Sequence, residues 1–136
     1  RPDIGSEDAV RRAVQAARSL GYSTGPSGVQ LAKLFERWGM ADEVKAKLLT
    51  PPPGTPVGRL VASGEVDLGF QQHSEFMDLP GVDVLGPLPA AIQITTIFSG
   101  GVAAASKQPD TVRELLEFLA SAGTTGIKQA SGMDAA

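Results

Sequence analysis

Residues 22–30 combine small residues and helix-start signals in a pattern that could bind an anion. The stretch Tyr-Ser-Thr-Gly-Pro-Ser-Gly-Val-Gln is typical of a strand end, a tight loop and the first turn of a helix. Ser27 is a favoured N-cap residue, and Pro26 suits the entry to a first helical turn. Unpaired backbone N–H groups and the helix dipole at such a junction attract negative charge without any Lys or Arg. The alternative is an ordinary strand-to-helix turn with a good cap, because short Gly/Ser signals often occur without a ligand.

Other chemistry has little support in the sequence. His73 is the only histidine and the chain has no cysteine, so we expect no metal site and no cofactor. Ser27 lacks a visible His–Asp pair and does not lie in the G-x-S-x-G elbow of hydrolases. A hydrolase or transferase using the same cleft stays open as an alternative, although no acid–base pair is recognisable. The sequence therefore predicts ligand binding without catalysis.

Composition favours a globular domain with a real core. Hydrophobic residues make up 42% and charged residues 20% of the 136-residue chain, which argues against disorder. The net charge of −3 excludes the basic surplus typical of nucleic-acid partners. No apolar run reaches the roughly 20 residues that span a bilayer, and no signal peptide is recognisable. The chain begins with Arg1 and not Met, which predicts a processed product or a fragment of a longer protein.

Apolar periodicity and turn residues predict alternating helices and strands. Helices are expected over 6–18, 27–38, 41–49, 55–63 and 110–119, with a weaker one over 122–130. Thr55 caps the fourth of these helices and Asp110 with Thr111 the fifth. Strands are expected over 19–23, 66–70, 82–85 and 92–105. The class is therefore α/β with a largely parallel sheet, in which ligands bind beyond the carboxyl ends of strands. Segments 23–28, 54–57 and 71–74 meet that description.

Several segments match one family in order and spacing. They are Tyr22-Ser23 before Pro26-Ser27-Gly28-Val29, the run 34–39 (Leu-Phe-Glu-Arg-Trp-Gly), Pro56-Val57-Gly58, the run 61–72 (Val-Ala-Ser-Gly-Glu-Val-Asp-Leu-Gly-Phe-Gln-Gln), Pro80-Gly81-Val82-Asp83 and the run 115–119 (Leu-Leu-Glu-Phe-Leu). In these features the chain resembles the second lobe of type II periplasmic solute-binding proteins, specifically the molybdate-binding-protein-like group of ABC importers.

The resemblance implies a two-lobed periplasmic or extracytoplasmic receptor that closes over a small, molybdate-like oxyanion and serves ABC permease subunits. It implies ligand contacts from Ser27 and Gly28 at one helix start and from Thr55 at a second. Gln72 falls where typical molybdate binders carry a ligand-contacting Tyr, so we expect a different anion selectivity.

The resemblance also divides the chain. It implies that residues 1–105 form the second lobe, a mostly parallel sheet flanked by helices with one long antiparallel return strand. Residues 106–136 would be C-terminal helices that pack on a first lobe expected before Arg1. Without that lobe, we expect the isolated chain to hide the apolar face of the helix over 110–119, either as a homodimer that exchanges these helices or by docking them back on their own lobe. The alternative function is therefore a stand-alone lobe that acts as a protein-interaction or self-associating module.

Overall fold

The computed structural model describes residues 1–52 and 54–134. The chain forms two compact units, Arg1–Thr96 (the first unit) and Ile97–Ala136 (the second unit). The division lies upstream of residue 105, where the sequence predicts the end of the lobe. Pro53, Ala135 and Ala136 lie outside the described residues. Among the described helices, none is long and apolar enough to cross a membrane.

The first unit contains a small, all-parallel sheet. Its strands are β1 (Leu20–Tyr22), β2 (Leu48–Leu49) and β3 (Leu68–Phe70), in the order β2-β1-β3. Leu20 of the central strand lies opposite Leu48 on one side and Leu68 on the other. Since all three strands run the same way, their carboxyl ends share one edge. The predicted α/β class with a parallel sheet is confirmed.

Helices flank and connect these strands. The first unit contains α1 (Glu7–Ala16), α2 (Pro26–Arg37), α3 (Ala41–Lys47) and α4 (Val57–Ala62). Ser6 caps α1, because its hydroxyl accepts a hydrogen bond from the Ala9 N–H at 3.2 Å. At its other end, Lys47 Nζ donates to the carbonyls of Val14 at 2.8 Å and Gln15 at 3.1 Å. This cation satisfies carbonyls that the end of α1 leaves unpaired.

The core of the first unit forms around the apolar stripes of α1, α2 and α3. Phe35 is its centre: only 1% of it is exposed, and its ring lies 5.8–6.0 Å from the rings of Tyr22, Trp38 and Phe70. Trp38 is a core residue, and its indole Nε1 donates to Glu7 Oε1 at 2.7 Å. The other buried members of this cluster are Val10, Val14, Leu20, Leu31, Leu34, Met40, Val44 and Ile92.

Two predicted strands are wrong, and one strand was missed. Residues 82–85 and 92–105 contain no strand in the described part of the chain, although both are rich in β-branched residues. A β-branched run needs a neighbouring strand to pair with, and none of the described strands pairs with either segment. The predicted antiparallel return strand is therefore not formed. The helix predicted over 41–49 ends at Lys47, because Leu48 and Leu49 pair with β1 as β2.

The second unit is helical. It consists of α5 (Pro109–Ala120), a 3-10 turn (Ala122–Thr124) and α6 (Thr125–Ala130). The predicted caps of α5 are wrong: Gln108 is its N-cap, since Pro109 takes the first helical position that proline favours. Three large side chains of α5 are about half exposed or more: Leu115 (54%), Phe118 (61%) and Leu119 (48%).

Candidate anion site at the carboxyl edge of the sheet

A cavity of about 290 Å³ lies at the carboxyl edge of the sheet. Its described lining comes from the residues that follow β1 and β2 and from those that lead into α4: Ser23, Thr24, Thr50, Pro51, Pro52, Gly54 and Thr55. Four of these seven residues carry hydroxyls, and none carries an ionisable side chain. Two of the three predicted segments, 23–28 and 54–57, thus contribute to a polar, uncharged concavity, whereas none of its lining residues comes from 71–74.

The start of α2 has first-turn backbone donors that no side chain caps. Gly25 is the N-cap, and the first internal hydrogen bond runs from the Val29 N–H to the Gly25 carbonyl at 3.1 Å. The prediction of Ser27 as the cap is therefore wrong. Pro26 occupies the first helical position, so the cap is Gly25, two residues before the predicted one. Ser27 is therefore the second residue of the helix. The N–H groups of Ser27 and Gly28 precede the first internal hydrogen bond, as an anion site requires.

Gly28 brings this helix start against the end of β1. It is buried, and a Cβ atom added there would lie 1.6 Å from the Ser23 carbonyl oxygen and 3.3 Å from Cδ2 of Tyr22. No side chain fits in such a gap, so only glycine allows this approach. Ser23, on the other side of the gap, lines the cavity. Burial also raises the pKa of the Tyr22 hydroxyl, which keeps this neighbour of the loop uncharged.

The second predicted helix start, at Thr55, lies slightly before the point where α4 begins. Thr55 lines the cavity, but it does not cap α4, whose N-cap is Pro56. Proline at the cap moves the start of the helix to Val57. The N–H of Gly58 in the first turn donates to Gln71 Oε1 at 3.2 Å, so the protein itself already pairs one of the donors of α4.

Gln72 and His73 follow β3 at the same edge of the sheet. Gln72 is half-buried and precedes a 3-10 turn (His73–Glu75), and its carbonyl accepts from the Glu75 N–H at 2.9 Å. It is not among the residues that line the cavity. His73 is exposed, and the described residues contain no group of three His, Asp or Glu side chains arranged for a metal.

Ion pairing is found at the opposite edge of the sheet. Asp67, just before β3, accepts from the backbone N–H of Arg18 at 3.1 Å and from its guanidinium at 2.9 and 3.0 Å. Hydrogen bonds from Arg18 lower the pKa of Asp67. In turn, the hydrogen bond to Asp67 raises the pKa of Arg18. This contact joins the segments that precede β1 and β3. It lies at the end of the sheet opposite the cavity.

Some of the residues at this edge could be identified from the sequence, and others were missed. Ser27, Gly28 and Thr55 lie at the cavity or at the adjoining helix start, and their contacts with a ligand stay predictions. Thr24 and Thr50 line the cavity and Gln71 caps α4, and none of these roles was predicted. Their positions directly after strand ends were the available signal.

Two comparisons relate the chain to known proteins. A family model described as bacterial extracellular solute-binding protein matches residues 2–134. An aconitate isomerase from Pseudomonas sp. is 39% identical over 134 residues, which cover 98% of this chain and 51% of that protein. The chain thus spans about half the length of this relative. No solved structure matches the chain.

The similarity to an isomerase corrects one expectation. The sequence predicted ligand binding without catalysis, because no acid–base pair was recognisable. A relative at 39% identity that is named as an enzyme argues against that prediction. The prediction required the catalytic groups to lie within these 136 residues, whereas the relative is about twice as long.

Proposed function

Since the chain belongs to the bacterial extracellular solute-binding protein family, we propose that its first unit binds a small oxyanion at the start of α2. The anion lies in the cavity beside this helix start. The backbone N–H groups of Ser27 and Gly28 donate to it, together with hydroxyls of Ser23, Thr24, Thr50 and Thr55. Gln72 contacts the part of the ligand that extends toward β3.

One observation carries this proposal: Ser23 and Thr24, which line a cavity rich in hydroxyls, come just before the uncapped start of α2. Unpaired N–H groups at a helix start carry partial positive charge, which stabilises an anion without a cationic side chain. Hydroxyls donate further hydrogen bonds and adapt their direction to the ligand. A neutral solute would gain less here, because it would not use the electrostatic part of the site.

The ligand class follows from the relative. Aconitate is an unsaturated tricarboxylate, and each of its carboxylates is an oxyanion of the kind that a helix start holds. A small polycarboxylate is therefore the leading ligand of this site, and a molybdate-like tetrahedral anion is the second candidate. The uncharged lining supports the second candidate too, because backbone and hydroxyl donors alone suffice for an inorganic oxyanion.

The activity of the whole protein follows the same relative. In the full-length protein, we expect the bound aconitate to be isomerised, as the name of the relative states for that protein. The described lining carries groups that hold an anion but no carboxylate or imidazole that would move a proton. The groups that complete the chemistry come from the part of the full-length protein that closes over the cavity. The family supports an extracytoplasmic location, where a bound solute can also be passed to ABC permease subunits.

The second unit carries an apolar face of its own, which we propose is covered by another protein surface. Leu115, Phe118 and Leu119 form an exposed apolar face on α5, and such a face favours burial against another protein surface. In the full-length protein that surface is the other lobe, and in the isolated chain it is a second copy.

Calorimetric titration of the full-length protein with cis-aconitate, trans-aconitate, molybdate and sulfate tests the binding. Ser27→Pro removes one backbone donor and should weaken binding of the best ligand. Ser27→Ala keeps the backbone N–H and serves as the control. NMR of each aconitate isomer incubated with the protein tests the isomerisation. Binding of none of the four anions, or an unchanged affinity in Ser27→Pro, would contradict the proposed site.

A further inference from the structure

Gln71 connects two segments beside the candidate site through both ends of its side-chain amide. Its Oε1 accepts from the Gly58 N–H at 3.2 Å, and its Nε2 donates to Glu75 Oε2. A backbone N–H needs an acceptor and a carboxylate needs a donor, so the two partners together fix which way round the amide lies.

The contact with Gly58 supplies a cap that α4 otherwise lacks. Its N-cap is Pro56, and no side chain makes the usual capping hydrogen bond there. Gly58 itself is buried: an added Cβ would lie 2.3 Å from Leu79 Cδ2 and 3.2 Å from Phe76 Cδ1. The start of α4 is therefore held by Gln71 on one side and by the residues after the 3-10 turn on another.

We propose that Gln71 is a positioning residue for the oxyanion site. By joining the start of α4 to the turn at His73–Glu75, it fixes Thr55, which leads into α4, relative to Gln72, which leads into the turn. This positioning role rests on the proposed function, since the proposed function is what assigns ligand contacts to Thr55 and Gln72. It also explains why α2 supplies the backbone donors: the N–H of Gly58 already has an acceptor.

The first test replaces the amide with an apolar side chain in the full-length protein. Gln71→Leu removes the acceptor of Gly58 and the donor of Glu75. Hydrogen exchange measured by NMR should accelerate at the Gly58 amide. The affinity for cis-aconitate should fall roughly threefold to tenfold, because the loss of these two hydrogen bonds frees Thr55 to move relative to Gln72. Gln15→Leu, on the exposed surface of α1, is the matched control and should change neither quantity.

The second test exchanges the two partners. Gln71→Glu keeps an acceptor for Gly58 but faces Glu75 with a second carboxylate, so it should weaken binding. Adding Glu75→Gln restores a donor and acceptor pair, since the new amide can donate to the new carboxylate. The double variant should recover most of the lost affinity. The unfolding free energies of the same variants are measured in parallel, and an affinity loss larger than the loss of folded protein accounts for separates positioning from general damage.

The outcomes distinguish the two proposals. If wild type binds cis-aconitate and Gln71→Leu binds it equally well, the positioning role is refuted while the proposed function stands. The positioning role is also refuted if Glu75→Gln fails to rescue Gln71→Glu. If wild type binds neither aconitate isomer nor molybdate, the proposed function fails, and the positioning role fails with it.

Discussion

Gly28→Ala is the most informative single substitution in the first unit. The added Cβ would lie 1.6 Å from the Ser23 carbonyl oxygen, and atoms of this kind need at least 3.0 Å. The obstacle is backbone on both sides, so no rotamer change relieves it. Either α2 or the end of β1 has to move by more than about 1 Å, and overpacking of this kind typically costs about 1–3 kcal/mol.

Urea denaturation followed by far-UV circular dichroism measures this cost. Gly126→Ala is the matched control, because Gly126 also lies in a helix but has no atom within 4 Å of an added Cβ. There the substitution should stabilise its helix by about 0.5–1 kcal/mol, since alanine has the higher helix propensity. The two substitutions are therefore expected to have opposite signs.

The same displacement should reduce anion affinity in the full-length protein, because it moves the donors of Ser27 and residue 28 away from the cavity wall at Ser23. Equal unfolding free energies for Gly28→Ala and wild type, within about 0.5 kcal/mol, would refute the close approach of α2 to β1. Reduced stability with unchanged affinity would instead show that the loop is structural and that the anion binds elsewhere.

Three further predictions concern other contacts. Lys47→Met should lower the unfolding free energy by about 1–3 kcal/mol, because the Val14 and Gln15 carbonyls lose a charged donor. Lys45→Met, on the exposed side of α3, is the control. Equal effects of the two substitutions on urea denaturation would contradict the role of Lys47. The lowered pKa of Asp67 contributes stability above its unfolded value of 3.8, and this contribution is lost as pH falls through the lower folded value. Asp67→Asn should therefore flatten the acid limb of the pH–stability profile, and an unaltered limb would exclude Asp67 as its source. Light scattering should find the isolated chain associated through α5 and Leu119→Glu dissociated, whereas a monomeric wild type would contradict self-association.

The elements with strong local signals could be predicted from the sequence. Helix α1 has both a capping serine and acidic first-turn residues, and α2 has proline at its start and glycine after its end. Strands β1 and β3 were placed to within about two residues, because glycine and polar residues bound each apolar run.

Elements that depend on tertiary partners could not be predicted. Strand β2 is two residues long and continues an apolar helical pattern, so only its pairing with β1 defines it. Conversely, 93–103 has strand periodicity without a partner in the described structure. At the candidate site, the cap from Gln71 to Gly58 joins residues 13 positions apart in sequence, and no local pattern announces such a contact.

The contact between Trp38 and Glu7 has a consequence for optical experiments. The indole N–H donates to Glu7 Oε1 at 2.7 Å, and this bond is the main cause that lowers the pKa of Glu7. Trp38 is the only tryptophan, and it is not among the residues that line the cavity. Its emission should therefore report the α1–α2 contact and the protonation of Glu7, while anion binding leaves it almost unchanged. A fluorescence titration that shows no response to a ligand would then say little about occupancy of the cavity, and a tryptophan introduced beside Thr50 would serve as the optical probe instead.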